Sequence, residues 1–460
     1  MTSDRRLAAR PAPQVAPVLL ALLAGIGCAR AQAGDSDADV RALVERDLPS
    51  LVRYYEALHA APELSGMEQR TSADLAQELR TAGFEVTDHI GRYAVPGFKG
   101  DGVVGVLRNG PGPTLLVRAD MDALPVEEKT GLPYASRRRV LGPAGAEVPV
   151  MHACGHDIHV TSLIGVARVM AKLRDRWHGT LLLVGQPAEE TIGGALAMLS
   201  DGIYERFAKP DLALALHDSG SLPVGTIGLT PGYALASSTN MDVLVRGVGG
   251  HGSQPQDARD PIVLAANIIM QLQTIVSREI SPFDQAVVTV GTIHGGLKRN
   301  IIPDEVKLEL NIRSYKPEVR EHIIQAVARI VRAAALGAGM PEERLPLVSV
   351  LAESAQALYN DPALAARLRP ALERALGADH VRDVPPLMAS EDFGQFGLDG
   401  KIPLLMFAVG ANSEETLAAA RRDGVAAPGP HSPLFAPVAA PTLRTGIVAM
   451  SAAALEVLGR

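Results

Sequence analysis

The chain has 460 residues, roughly three times a typical single domain, so at least two domains and a sizeable core are expected. Apolar residues make up 47% and charged residues 21%, an ordinary globular balance that excludes a disordered or collagen-like chain. Lys plus Arg number 44 against 51 Asp plus Glu, a net charge of −7, and aromatic residues are 4%; this argues against binding nucleic acid or an anionic membrane through bulk charge or base stacking. Two cysteines exclude a disulfide scaffold.

In chain order, Arg5, Arg6 and Arg10 precede the apolar run Val15 to Gly27, and Ala31-Gln32-Ala33 forms a small-residue cleavage site. This is the layout of a secretory signal peptide over residues 1–33, and it predicts a periplasmic or secreted protein. The alternatives are an uncleaved anchor, for which the 13-residue run is short, and a lipoprotein at Cys28, for which Gly25-Ile26-Gly27 is a poor acylation signal. Cleavage after Ala33 leaves Cys154 as the only cysteine, without an intramolecular disulfide partner.

Leu75 and Leu79 share one helical face, with Gly83 as the cap. Three apolar runs then end in chemically capable residues. Thr114–Val117 leads to Arg118, Asp120 and Asp122; Thr180–Val184 to Glu189-Glu190; and Asp211–Leu216 to His217. Such runs suit strands covered by helices on both faces, whose ligands gather beyond the strands' carboxyl ends. Between the first two, Val160, Leu163, Ile164, Ala167 and Met170 keep helical spacing, so Cys154-Gly155-His156-Asp157 lies in a loop that opens a helix.

Near Ser237 the pattern changes. Strands are expected at Asp242–Gly247, Gln285–Ile293, Glu305–Ile312 and Leu345–Val350, and helices at Pro261–Arg278 and Pro317–Ala335. The order β-α-β-β-α-β over about 115 residues matches a small α+β, ferredoxin-like sandwich. Helices and the apolar strand Pro403–Val409 follow, then a Pro-rich tail around His431. The predicted organisation is an α/β domain of residues 36–236 and 351–460, interrupted by an inserted domain at 237–350.

The chemistry of these residues is open when each is taken alone. Cys154 and His156 offer a thiolate and an imidazole across one glycine, which suits a first-row transition metal; C-x-H equally describes a buried cysteine beside a surface histidine. Glu189-Glu190 would ordinarily be a solvated pair, but the approach LLLVGQP brings it to the crevice, where one carboxylate can bind metal and the other accept a proton. His217 shares that location, although a histidine at a strand end is commonly structural.

The strings RADMDALPVEE (118–128), MHACGHDIH (151–159), QPAEE (186–190), GGHGSQP (249–255), NIIPDE (300–305) and SEDF (390–393) resemble the aminoacylase and hippurate hydrolase branch of the dinuclear metallopeptidase superfamily. That superfamily also includes acetylornithine deacetylase and succinyl-diaminopimelate desuccinylase. The resemblance runs from about Leu58 to Pro433. It implies a two-domain metallopeptidase fold, a mixed-sheet catalytic domain with an inserted lid and dimerisation domain. By the same resemblance Cys154, His156, Glu190, His217 and His431 are the ligands of two divalent metals (Zn, Mn, Co or Ni), and Glu189 is the general base. His251 is the lid donor to the oxyanion, often supplied by the partner of a homodimer. Asn300 and Arg313 hold a substrate carboxylate, and Asp120 orients a ligand histidine. Arg118 stands where other branches carry a ligand histidine.

The implied reaction is hydrolysis of N-acyl amino acids, a small-molecule chemistry without nucleic acid or membrane. A metallocarboxypeptidase or dipeptidase, and a non-catalytic binder of amino-acid conjugates, are the alternatives. His152 and His159 flank the loop and are expected either to support the metal ligands from behind or to lie at the surface, His59 to lie outside any cluster, and Glu391-Asp392 to brace the loops. Gln256, Thr191 and the segment after His217 depart from the pattern and bear on acyl preference.

Overall fold

The computed structural model describes residues 18–459, apart from 94–97 and 143–144. The basic start of the expected leader, Arg5 to Arg10, lies outside the described residues, and the backbone is one helix from Val18 to His59. Among the described residues no helix is long and apolar enough to cross a membrane.

The larger sheet has eight strands among the described residues, in the order Glu85–Ile90, Gly102–Asn109, Gly179–Gln186, Thr114–Asp120, Leu212–Pro223, Leu404–Asn412, Ile227–Leu229 and Val381–Asp383. It is mixed. Thr114–Asp120 runs parallel to Gly179–Gln186 and Leu212–Pro223, and Leu404–Asn412 is parallel to Leu212–Pro223, while the first three strands pair antiparallel. Alternation explains why the central strands read as unbroken apolar runs. Leu115, Val117, Leu181, Leu183, Leu214 and Leu216 pack under the helices Val18–His59, Gln69–Thr81, His156–Lys172 and Ala439–Leu458. Leu116, Leu182, Val184, Ala213 and Ala215 face a second core with Met198, Phe393 and Phe396.

The smaller sheet is antiparallel, in the order Ala286–Gly295, Glu305–Ser314, Ser237–Arg246 and Leu347–Ala355. The helices Pro261–Thr274 and Pro317–Gly337 cover one face, and Val243, Ile268, Leu308, Ile323 and Val327 interlock in the core between helices and sheet. Asp260 caps the first helix by accepting from the Ile262 N–H. The architecture is therefore α/β with two domains, a larger mixed-sheet domain and an α+β domain of ferredoxin-like strand order.

Two boundaries differ from expectation. The strand read as ending at Leu216 continues through His217 to Pro223, because Leu404–Asn412 pairs with it along that length. The last strand of the smaller sheet runs to Ala355, where Ser238 pairs with Ala355 at the junction of the two domains.

Candidate metal centre and active site

Asp120 and Gln186 end adjacent parallel strands, so the loops that follow them open at one edge of the sheet. Between these strands the chain crosses by the helix His156–Lys172, entered through Gly155. Gly155 is left-handed at φ +77°, and a Cβ there would lie 1.8 Å from Asp218 Oδ2. Only glycine lets Cys154 and His156 turn toward the same point.

The structure brings together Cys154, His156, Glu189, Glu190, His217 and His431. Cys154 Sγ lies 3.5 Å from His217 Nε2, His156 Nε2 lies 3.9 Å from both Glu189 Oε2 and Glu190 Oε1, and His431 Nε2 lies 3.4 Å from Glu190 Oε2. Cys154 with His156 and His217, and Cys154 with Glu190 and His431, form two overlapping groups whose ligating atoms all fall within 4.8 Å of one another. His431 sits on left-handed backbone at φ +70°, fixed by its N–H donating to Ala153 O at 2.7 Å.

Main-chain acceptors set the imidazole tautomers. His156 Nδ1 donates to Asp122 O at 2.7 Å and His217 Nδ1 donates to Asp218 O at 2.8 Å, so both Nε2 lone pairs face the cluster. His156 Nε2 and Glu190 Oε1 are buried without a hydrogen-bond partner. Burial, then Glu190, Glu189, Asp218 and Asp120, push the Cys154 thiol well up. Burial, then Glu391 and Glu190, push Glu189 up as well. A soft thiolate, imidazole nitrogens with free lone pairs and a surplus of carboxylates fit divalent first-row cations, which reverse those shifts.

Asp120, His156 and His159 are also close enough to hold an ion, as are His159, His217 and Asp218. In both groups His159 is already engaged through its two ring nitrogens. His159 Nδ1 donates to Asp120 Oδ1 at 2.5 Å, and the Asp218 N–H donates to His159 Nε2 at 3.0 Å. The two carboxylates push His159 up to about 9 against its burial, yet that amide occupies the Nε2 lone pair, and the geometry favours the neutral ring. Asp120 thus bonds His159 directly and reaches His156 Nε2 at 3.6 Å.

Arg118 is fully buried beneath the site. It donates to Asp120 Oδ2 at 2.6 Å, Glu391 Oε1 at 2.7 Å and Gln186 Oε1 at 2.8 Å, and it lies 3.3 Å from Asp392 Oδ1. The planar guanidinium ties the strand end to the Glu391-Asp392 loop.

The three residues expected on a lid, His251, Asn300 and Arg313, lie on the smaller domain. His251 is exposed; Gly250-His251 pairs with Ile301-Ile302, and the Gly252 N–H donates to Asn300 O, so His251 and Asn300 share one edge. His251 Nδ1 accepts from the Ser253 N–H at 3.1 Å. Arg313 crosses between domains, donating to Met388 O at 2.9 Å. After burial and the rings of His156 and His217, its charge helps to hold His431 down.

Several residues differ from the sequence reading or escaped it. Of the two alternatives for His152 and His159, burial excludes the surface for both, and His159 supports the site through Asp120. His59, read as outside any cluster, is completely buried and donates to Asp157 at 2.6 Å and Glu128 at 3.1 Å. Asp122 and Glu68 were not singled out for a role, yet both hold the Glu189-Glu190 turn. The repeated acid in Asp120-Met121-Asp122 was the available signal for the first; nothing local marked the second.

The family model for peptidase family M20/M25/M40 matches residues 116–423. The chain belongs to this family. The M20 chain is 35% identical over 357 residues to an N-acetyl-L-cysteine deacetylase of Bacillus subtilis, covering 77% of this chain and 78% of that one. It is 37% identical over 343 residues to a hippurate hydrolase of Campylobacter jejuni, covering 74% and 82%. Among solved structures, the Bacillus subtilis YXEP protein, described as a dinuclear metal binding peptidase from the M20 family, superposes with a TM-score of 0.69 at 26% identity, covering 90% of this chain and 100% of that one. The M20 chain is a metal-dependent amidohydrolase.

Proposed function

We propose that this M20 enzyme hydrolyses the amide bond of N-acyl amino acids, releasing a carboxylic acid and a free amino acid. The observation that carries the reading is the adjacent pair itself: Glu190 shares a group with Cys154 and His431, while Glu189, buried beside it, joins His156 and Glu190 in a third. Cys154, His156, Glu190, His217 and His431 would hold two divalent ions. The chemistry such ions supply is polarisation of the amide carbonyl and acidification of the attacking water.

The chain's own residues do the rest. Glu189 takes the proton of the attacking water and returns it to the leaving amine. His156 and His217 are kept in the ligating tautomer by main-chain carbonyls, and Arg118 keeps Asp120 against His159. Arg313 and Asn300 hold the carboxylate of the amino-acid product, a role that suits the planar fork of arginine. His251 donates to the developing oxyanion from the lid of a second copy. Support for a homodimer comes from the edge strand Ala286–Gly295, which exposes Val287 and Ile293, and from exposed Val263 and Met270 on the neighbouring helix. We also propose export with removal of residues 1–33, on the arginine, apolar and Ala-Gln-Ala pattern alone; the N-terminal sequence of protein from a periplasmic fraction tests it.

The decisive variant is Glu189→Gln. Turnover of N-acetyl and N-benzoyl amino acids should fall by about 10²–10⁴-fold with bound metal unchanged. Metal lost together with activity would mean that the two glutamates have been assigned the wrong way round. Turnover of dipeptides but not acyl conjugates would replace the proposed substrate class with a peptidase's.

A further inference from the structure

The turn that carries Glu189 and Glu190 is held by side chains rather than by a neighbouring strand. Three consecutive amides donate to two buried carboxylates. The Ala188 N–H reaches Glu68 Oε1 at 2.8 Å, the Glu189 N–H reaches Asp122 Oδ1 at 3.1 Å, and the Glu190 N–H reaches Asp122 Oδ2 at 3.0 Å. Ser65 Oγ steadies Asp122 by donating to Oδ2 at 2.6 Å. The two acids arrive from different directions. Glu68 is the residue before the helix Gln69–Thr81, and Asp122 lies just past the strand Thr114–Asp120.

Buried amides need acceptors, but a carbonyl or a water would serve. Two fully buried acids are a costly way to supply them, because each must be stripped of water, and burial followed by the charge of Asp122 pushes Glu68 well up. The backbone they hold is itself unfavourable. Ala188 is left-handed at φ +53°, and so is β-branched Ile192 at φ +57°. Inside the turn the Gly194 N–H donates to Ala188 O at 3.1 Å, and a Cβ on Gly194 would lie 1.6 Å from Pro187 O. Strain of this kind persists only where the surroundings over-determine the backbone.

We propose that Glu68 is a positioning residue for amide hydrolysis: together with Asp122 it clamps the amides of Ala188, Glu189 and Glu190 and so aims the Glu189 carboxylate. This rests on the reading of Glu189 as the base. Glu68 acts through the Ala188 N–H, and what it contributes is an acceptor at a fixed place. Release of that amide lets the turn relax, and a misplacement of about 1 Å at a reacting group costs on the order of 10²-fold in rate.

The test compares Glu68→Ala, Glu68→Asp and Glu68→Gln in the full-length, metal-loaded enzyme. The measurements are kcat and KM on an N-acetyl amino acid, metal content and thermal stability. The alanine and aspartate variants, which remove or retract the acceptor, should lose on the order of 10²-fold in kcat with KM and metal content unchanged. Glutamine, whose carboxamide oxygen still accepts from Ala188, should restore most of the rate. Wild-type kcat in Glu68→Ala overturns the proposal, as does a loss matched by loss of metal, or a glutamine variant as poor as alanine. If Glu68→Ala does not fold, Glu68→Asp and Ser65→Ala, which loosens the Asp122 side, give the same reading. Glu189→Gln is run alongside. Full turnover in that variant refutes the base assignment itself, whatever the Glu68 series does.

Discussion

His59 joins two segments that the sequence keeps far apart. Both its nitrogens donate to carboxylates, Asp157 at the start of the helix after His156 and Glu128 in the loop after Asp122. Burial alone would lower its pKa, but the hydrogen bonds and charges of Asp157 and Glu128 outweigh burial and raise it to about 10. The sign follows from linkage. A histidine raised in the folded state contributes stability that is complete below its unfolded pKa, about 6.5, and is lost as pH rises to about 10. Replacement of His59 by Gln should therefore cost most at about pH 6 and progressively less toward about pH 10, read as the difference in urea midpoint between variant and parent. A constant difference across that range would mean that the ring is neutral in the folded protein. Glu189-Glu190 and His217 stood out as candidates because they end apolar runs, and Cys154 and His156 because they open a helix, but their roles as base and ligands came only from the family resemblance. His59 and Glu68 did not stand out, because their partners lie 98 and 120 residues away and include a main-chain amide that carries no side-chain signal. His431 drew notice only through family resemblance, since its ligating direction comes from a left-handed backbone in a proline-rich loop.

Strands were the most legible elements, and their ends the least. A run such as Leu181–Val184 must be covered on both faces, and the structure covers it with two separate cores. The extension of Leu212–Pro223 past His217 depends on its pairing with a strand nearly two hundred residues later, which no local pattern contains. In the smaller sheet, the strand Ala286–Gly295 has only Glu305–Ser314 as a partner among the described residues, leaving its other edge unpaired within them. An exposed apolar edge of this length is a template for a further strand. Ile293→Asp should convert the proposed dimer to monomer by light scattering, and activity should fall with it if His251 is supplied by the second copy. A monomeric variant with full activity would place His251 in the service of its own chain.

Over the whole molecule, the sheet edge gathers more acid than the protein's own cations balance. Burial raises Glu190 from an ordinary 4.5 to about 7, with His156 opposing the rise. Metal-free protein should consequently lose stability as pH rises from about 4.5 to about 7, because the folded state binds a proton there that the unfolded chain releases. Added ions should erase that slope and raise the melting temperature in proportion to the logarithm of their concentration. Thermal melts of chelated and reloaded protein at about pH 5 and about pH 7.5 measure both effects. An identical pH slope with and without ions would contradict the assignment of Glu190 as a ligand.

The strand Leu404–Asn412 lies in the interior of the large sheet, between Leu212–Pro223 and Ile227–Leu229, and the terminal helix Ala439–Leu458 packs on Val18–His59. A ribosome that has just reached Leu404 has therefore produced a sheet with its middle missing. Leu214 and Leu216 are then flanked on one side by empty solvent, and His431 has yet to be translated. Until Leu404–Asn412 arrives, the large sheet keeps unpaired strand edges of the kind that make a folding intermediate prone to aggregate. The chain becomes a metalloprotein only after the last strand has been threaded into place, in whichever compartment that final step occurs.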